Sequence, residues 1–325
     1  MNPASVTIHP SQFPENVRRD LLASLTTRRV NHKFHYDSLR QTQKWLALHE
    51  AHSPARTDTD CLATYDLAFQ AVPARLTAEK IHVLGLGCGG GQKDAQLLKH
   101  LSAGHRELYY TPSDVSVAMT LVARQAALAV VPETRCFPFV CDLATASDLP
   151  AVLAARELAG AARLVTFFGM IPNFEPAAIL PQLTALVRPA DLLLFSANLA
   201  PGADYAAGLR TILPQYDNEL TRDWLLAFLT GLGLEPGAGE LRFTIETSPA
   251  GLSRVEANFH FTCACRLAVD AEQFQFQPGD TIRLFFSCRY TPELVRQHLA
   301  QHGLAVQAEW ITQSQEEGVF LCRRL

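Results

Sequence analysis

The run Lys80-Ile-His-Val-Leu-Gly-Leu-Gly-Cys-Gly-Gly-Gly-Gln-Lys-Asp-Ala-Gln-Leu-Leu98 constrains the fold more than any other stretch of the chain. A short, mostly apolar segment ends in a loop holding five glycines, and Leu97, Leu98 and Leu101 then fall along one helical face. A buried parallel strand reads as such an apolar run. Glycines after it let the backbone turn sharply and approach a ligand closely.

The same grammar repeats downstream. ELYYTPSDVS, RCFPFVCDL, ARLVTFFGMI and DLLLFSANL read as strands, with helical stretches such as VAMTLVARQAALAV, LPAVLAARELAG and AAILPQLTALV between them. Strands alternating with helices specify a parallel sheet covered on both faces, with ligand-binding loops along the carboxyl edge of the strands. Beyond Pro201 the texture changes: residues 203–234 read as helical and 240–288 as antiparallel β, with a Pro-Gly-Asp turn inside FQFQPGDTIRLFFSCRY. The last stretch, 291–325, reads as helix, strand, turn and strand. The expected organisation is therefore an α/β, Rossmann-like domain formed by 61–200 with 290–325. A second, α+β domain is expected from 1–60 with 201–289.

Three ligands suit a glycine-rich turn of this kind. A phosphate-binding P-loop needs Gly-x-x-x-x-Gly-Lys-Ser/Thr, and here Gln92 stands in place of the second glycine and Asp94 in place of the hydroxyl, where a carboxylate repels phosphate. A dinucleotide site asks for Gly-x-Gly-x-x-Gly and an acid about 20 residues on. Gly85, Gly87 and Gly90 satisfy that spacing, and Asp114 lies at about the required remove. S-adenosylmethionine, which has a sulfonium in place of the pyrophosphate, asks for close approach, one acid for the ribose hydroxyls and a polar group for the adenine amine. Asp114 and Asp142, each following a strand, supply both. The candidate cofactor residues are Gly85, Gly87, Gly89, Lys93, Asp114, Ser116, Asp142 and Leu143. For Asp114 the competing role is a helix N-cap, which is compatible with ligand binding.

Composition narrows the function classes. A formal net charge of -4 and 18% charged residues offer no basic stripe for nucleic acid. No apolar run approaches the roughly 18 residues of a membrane span, and the amino-terminal residues lack a signal-peptide core. Eight scattered cysteines, with only Cys263 and Cys265 close together, read as reduced thiols of a cytoplasmic protein. The pairs His32/His35 and His49/His52 do not have the i, i+4 spacing of a helical zinc site, so no metal is expected.

Several further motifs occur in one order along the chain: HKFHYDSLRQTQKWLALHEAHSPARTD, YTPSDVS, GMIPNFEP, QYDNEL and PGDTIRLFFSCRYT. Together they resemble the histidine-specific Nα-methyltransferases of ergothioneine biosynthesis, over most of the chain. The resemblance implies a class I methyltransferase fold with an S-adenosylmethionine cofactor and a small-molecule amine substrate. It implies that Asn173 contacts the amino-acid head group, Tyr216 the carboxylate, Tyr36 the neighbourhood of the reacting amine, and Ser287 the substrate pocket. It also shows departures. The glycine loop is about two residues longer than the family's, and "HSP" at 52–54 replaces Tyr-Tyr-Pro. Phe285 stands where the family has a glutamate that binds imidazole, and Ala257 replaces a methionine after Glu256. An imidazole N–H facing phenylalanine loses its acceptor, at about 1–3 kcal/mol when buried. The expected activity is N-methylation of an amino-acid amine or related metabolite other than histidine. Catalytic roles fall to Tyr36, Asn173 and Tyr216, and substrate contacts to Asn173, Tyr216, Ala257, Phe285 and Ser287. A nicotinamide oxidoreductase and a catalytically silent cofactor-binding protein are the alternatives.

Overall fold

The computed structural model describes residues 4–104, 106–156, 158–248 and 251–325. The chain divides into two compact units, one of Met1–Gln12, Pro54–Leu199 and Tyr290–Leu325, the other of Phe13–Ser53 and Ala200–Arg289.

The first unit is built on strands β1 (Thr7–Ile8), β2 (Lys80–Leu86), β3 (Glu107–Asp114), β4 (Phe139–Val140), β5 (Ala161–Phe167) and β6 (Leu192–Asn198). They form one sheet with two strands from the end of the chain, numbered below as β12 (Leu304–Ile311) and β13 (Glu317–Arg324). The order is β1-β4-β3-β2-β5-β6-β13-β12. The strands from β1 to β6 run parallel, whereas β13 runs antiparallel to both β6 and β12. This is the mixed sheet that the resemblance implies, with β2 near its centre. All of β2 after Lys80 is buried, which explains its continuous apolar run. The helix Gln92–Ser102 packs Leu97, Leu98 and Leu101, all at 0% exposure, onto Ile81, Val83 and Leu108.

Two boundaries differ from the sequence reading. The segment ending at Gln12 belongs to the sheet unit, because Thr7 and Ile8 pair in parallel with Phe139 and Val140 at the open edge of β4. Pro54–Thr57 and the start of the helix Thr59–Ala71 belong there too. A two-residue edge strand has no periodicity of its own, so only the partner edge reveals it. β4 is also shorter than RCFPFVCDL suggests, since it begins only after Pro138.

The second unit contains β7 (Gly239–Thr247), β8 (Ser253–Phe261), the hairpin β9 (Cys265–Val269) and β10 (Glu272–Phe276), and β11 (Thr281–Arg289). β11, β8 and β7 form an antiparallel sheet in that order. Register places Phe243, Ala257 and Phe285 on one face, and Thr244, Glu256 and Phe286 on the other. The first face packs against Trp224, Leu225, Phe228 and Leu229 of the helix Glu219–Gly231, forming the core of the unit. A register shift between Arg283 and Phe285 sets which side of β11 each residue occupies.

Candidate functional site

At the carboxyl end of β2 the chain turns through Gly87 at φ 60° and Gly89 at φ 51°, conformations that side chains disfavour. The Cys88 amide donates to Ser113 O (2.9 Å), tying the turn to β3. The Gly89 amide donates to Asp114 Oδ2 (3.0 Å) and the Ser116 amide to Asp114 Oδ1 (3.0 Å). Asp114 therefore faces the glycine turn with one backbone donor on each oxygen. A carboxylate has about four acceptor positions, so capacity for a ribose hydroxyl remains. Ser116 rather than Asp114 is the N-cap of the helix Val117–Ala127, accepting from the Met119 amide at 3.2 Å. Burial pushes the Asp114 carboxyl up to about 6, and the amides of Ser116, Gly89 and Val115 oppose the rise.

Two glycines make room for neighbours. A Cβ on Gly87 would stand 2.5 Å from Met170 Cγ, so the Met170 side chain lies directly over the turn. A Cβ on Gly85 would stand 2.3 Å from Asp94 Oδ2. That buried carboxylate accepts from the hydroxyls of Tyr110 and Thr166, both at 2.7 Å, joining β3 and β5 beneath the turn. Sequence reasoning used Asp94 only to dismiss a P-loop; its anchoring role depends on partners 16 and 72 residues away. Gly87→Ala combines positive φ with the Met170 overlap, and a left-handed conformation alone costs about 1–2 kcal/mol. It is expected to lower Tm by several degrees and to weaken S-adenosylhomocysteine binding, measured by calorimetry. An unchanged Tm and Kd would show that the turn tolerates a side chain.

Lys93 stands at the start of the helix after the turn. Its ammonium donates to Tyr65 Oη (2.6 Å) and lies 3.5 Å from Glu317 Oε1, while Tyr65 donates to the same Glu317 oxygen. Asp142 is 3% exposed, its Oδ1 accepts from the Ala144 amide (2.9 Å), and Leu143 beside it is buried. The amino-terminal segment holds both acidic loops. Ser11 Oγ accepts from the Asp142 amide at 3.0 Å, and Gln12 Nε2 donates to Val115 O at 2.8 Å. Sequence reasoning missed Ser11 and Gln12. Asn173 ends the 3-10 turn Ile171–Asn173 beyond β5, half-buried, in the same unit as the glycine turn.

The second unit gathers most of the other candidates on one face of its sheet. Tyr216, at the end of the helix Tyr205–Tyr216, donates to Ser287 Oγ (2.8 Å) and accepts from Arg289 Nε (3.0 Å) and Nη2 (2.8 Å). Phe285 is 7% exposed, with its ring 6.4 Å from Tyr216, 5.7 Å edge-on from Trp224 and 5.0 Å stacked on His32. Tyr36 reaches this group through Trp224, at 5.5 Å between rings, and also meets Trp45. Ala257 is fully buried, with Phe285 and Phe243 as its register partners, so aromatic rings enclose the place of the absent methionine. His32 accepts from the Phe286 amide and His35 bonds Leu284 O (2.7 Å). Burial lowers both imidazoles, His35 to about 4, so both stay neutral near pH 7. Among the described residues no group of His, Cys, Asp and Glu is placed to hold a metal, and no helix is long and apolar enough to cross a membrane.

A family model described as histidine-specific methyltransferase, SAM-dependent, matches residues 17–324. The chain belongs to this family. It is therefore an S-adenosylmethionine-dependent methyltransferase, and the dinucleotide reading of Gly85-x-Gly87-x-x-Gly90 falls. The residues are compatible with that cofactor: the glycines take the positive-φ conformations of the turn, and Asp114, bonded to the Gly89 and Ser116 amides, keeps acceptor capacity beside it. A search of curated proteins finds no match. Solved structures similar to the chain include the CcbJ methyltransferase from Streptomyces caelestis, at 14% identity and TM-score 0.39 over 80% of this chain and 89% of that one. CalS10, an amino pentose methyltransferase from Micromonospora echinaspora, is 16% identical over 86% of this chain and 97% of its own, at TM-score 0.39. The 1,6-didemethyltoxoflavin-N1-methyltransferase of Burkholderia thailandensis is 13% identical over 100% of this chain and 92% of its own, at TM-score 0.41.

Proposed function

We propose that this family member methylates the amine of an amino acid or related small metabolite whose side chain is less polar than imidazole. The observation that carries the reading is Phe285, enclosed by Trp224, His32 and Tyr216 and offering an imidazole N–H no acceptor. Beside it, Tyr216, Ser287 and the Arg289 guanidinium form a hydrogen-bonded group whose positive charge suits a carboxylate. The family resemblance assigns Asn173, Tyr36 and Tyr216 to the head group and reacting amine, and those assignments are part of the proposal, as are the cofactor contacts of Lys93, Asp142 and Leu143. In this reading the sheet unit binds cofactor and supplies Asn173, and the second unit supplies the other substrate contacts.

Methyl transfer to nitrogen is an in-line displacement at the sulfonium carbon. The amine must be neutral, with its lone pair along the methyl–sulfur axis; the leaving group is a neutral thioether and the methylated ammonium then sheds a proton to water. Positioning supplies most of the acceleration, and well-oriented reactants gain about 7–11 kcal/mol in favourable cases. The deciding experiment incubates the protein and S-adenosylmethionine with a panel of amino acids and simple amines, read by mass spectrometry. Gain of 14 mass units on the nitrogen of an aromatic or aliphatic amino acid, well above histidine, is the expected result. Preference for histidine would overturn the substrate assignment, and methylation only at oxygen or sulfur would overturn N-methylation. Cofactor binding without turnover of any amine would favour a silent cofactor-binding protein.

A further inference from the structure

The outward face of the second unit's sheet carries a cleft with no part in the reading above. It is an open groove of about 380 Å³ whose lining includes Arg28, Arg29, Glu246, Arg254, Glu256 and Arg283. The segment Arg28–Val30 forms one wall, running beside β11 through the bonds Arg283 N–H to Arg28 O (3.0 Å) and Val30 N–H to Arg283 O (2.8 Å).

Its charges are arranged unevenly. Arg254 Nε and Arg283 Nη1 both donate to the single oxygen Glu256 Oε1, each at 2.8 Å, and Glu256 is 8% exposed. Both guanidiniums also lie over the Phe286 ring, 5.0 Å from its centre. Arg28 is paired with Asp280 (2.8 Å), whereas Arg29 is exposed and makes no side-chain hydrogen bond or ion pair among the described residues. With Arg28 set against Asp280, three guanidiniums face the two carboxylates Glu246 and Glu256. A solvated salt-bridge network has no need to hold two like charges on one carboxylate oxygen and one ring. Guanidinium forks held over one aromatic ring and by one carboxylate are already restrained, so little rotamer entropy is lost when they bind an oxyanion.

We propose that this cleft binds a small oxyanion-bearing metabolite, a carboxylate or a phosphate, through Arg29, Arg254 and Arg283. Glu246, the register partner of Arg254, limits the affinity by repulsion. The site is on the opposite face of β8 and β11 from Ala257 and Phe285, so it is separate from the methyl-transfer residues.

The experiment titrates the full chain with citrate and with inorganic phosphate by calorimetry, at constant ionic strength against sodium chloride. Saturable one-site binding is expected for at least one probe, and the one that binds identifies the oxyanion class. Arg29→Ala is expected to weaken it at least fivefold and Glu246→Gln to tighten it about twofold, both with S-adenosylhomocysteine binding unchanged. Absence of saturation by either anion above the chloride control would overturn the proposal, as would wild-type anion affinity in both variants.

Discussion

Asp114→Ala is expected to weaken S-adenosylhomocysteine binding by tenfold to several hundredfold in a calorimetric titration. The carboxylate receives one backbone N–H on each oxygen and keeps acceptor capacity toward the glycine turn. A hydrogen bond to a charged acceptor is worth about 1.5–3 kcal/mol, so removing a single ribose hydrogen bond weakens binding roughly tenfold or more. Alanine also releases the amides of Gly89 and Ser116, loosening the loop that shapes the site. Asp114→Asn separates the two effects, because its amide oxygen restores one acceptor. The pH dependence follows from the carboxyl's rise to about 6. An unfolded aspartate loses its proton near pH 4. Between these values the folded chain holds the proton more tightly, so the buried group takes away stability as pH rises from about 4 to 6. Cofactor binding needs the ionised form and has the opposite sign. Affinity should fall toward tenfold per unit below about pH 6, and the fall should vanish in Asp114→Asn. Wild-type affinity in Asp114→Ala would remove this residue from the cofactor site.

Phe285→Glu is expected to shift specificity toward histidine while lowering stability. The ring is nearly enclosed by His32, Trp224 and Tyr216, and shrinking a buried aromatic costs about 3–5 kcal/mol at the alanine limit. A buried carboxylate adds a further desolvation cost. The expected result is a Tm lower by several degrees. With it should come a rise of at least tenfold in kcat/KM for histidine relative to the native chain. Phe285→Leu serves as the control, since it lightens the packing without supplying an acceptor. If Phe285→Glu binds S-adenosylhomocysteine normally yet handles histidine no better than Phe285→Leu, position 285 does not read the substrate's side chain.

The architecture of the sheet unit was largely legible because its signals are local. An apolar run such as Ile81–Leu86 is buried on both faces of a parallel sheet, and its composition alone says so. The pairing of an acid after one strand with the glycines after another was legible too. In parallel folds all such loops share one edge, so position in sequence predicts position in space. Asp94, Ser11 and Gln12 were not legible in those roles, because their partners lie far along the chain and follow from pairing rather than pattern. The β1 edge strand is the clearest case, two residues whose assignment depends wholly on the open side of β4.

The sequence by itself thus determined the family, the cofactor and the order of the βα units, all written in motifs and in hydrophobic period. Only the tertiary structure decided that Phe285 is enclosed by rings and that Tyr216 is bonded by Arg289. It alone brought Arg254 and Arg283 together on one oxygen of Glu256. Those facts depend on the register of β8 against β11, and a one-residue slip, such as the shift after Arg283 introduces, exchanges the faces of every side chain beyond it.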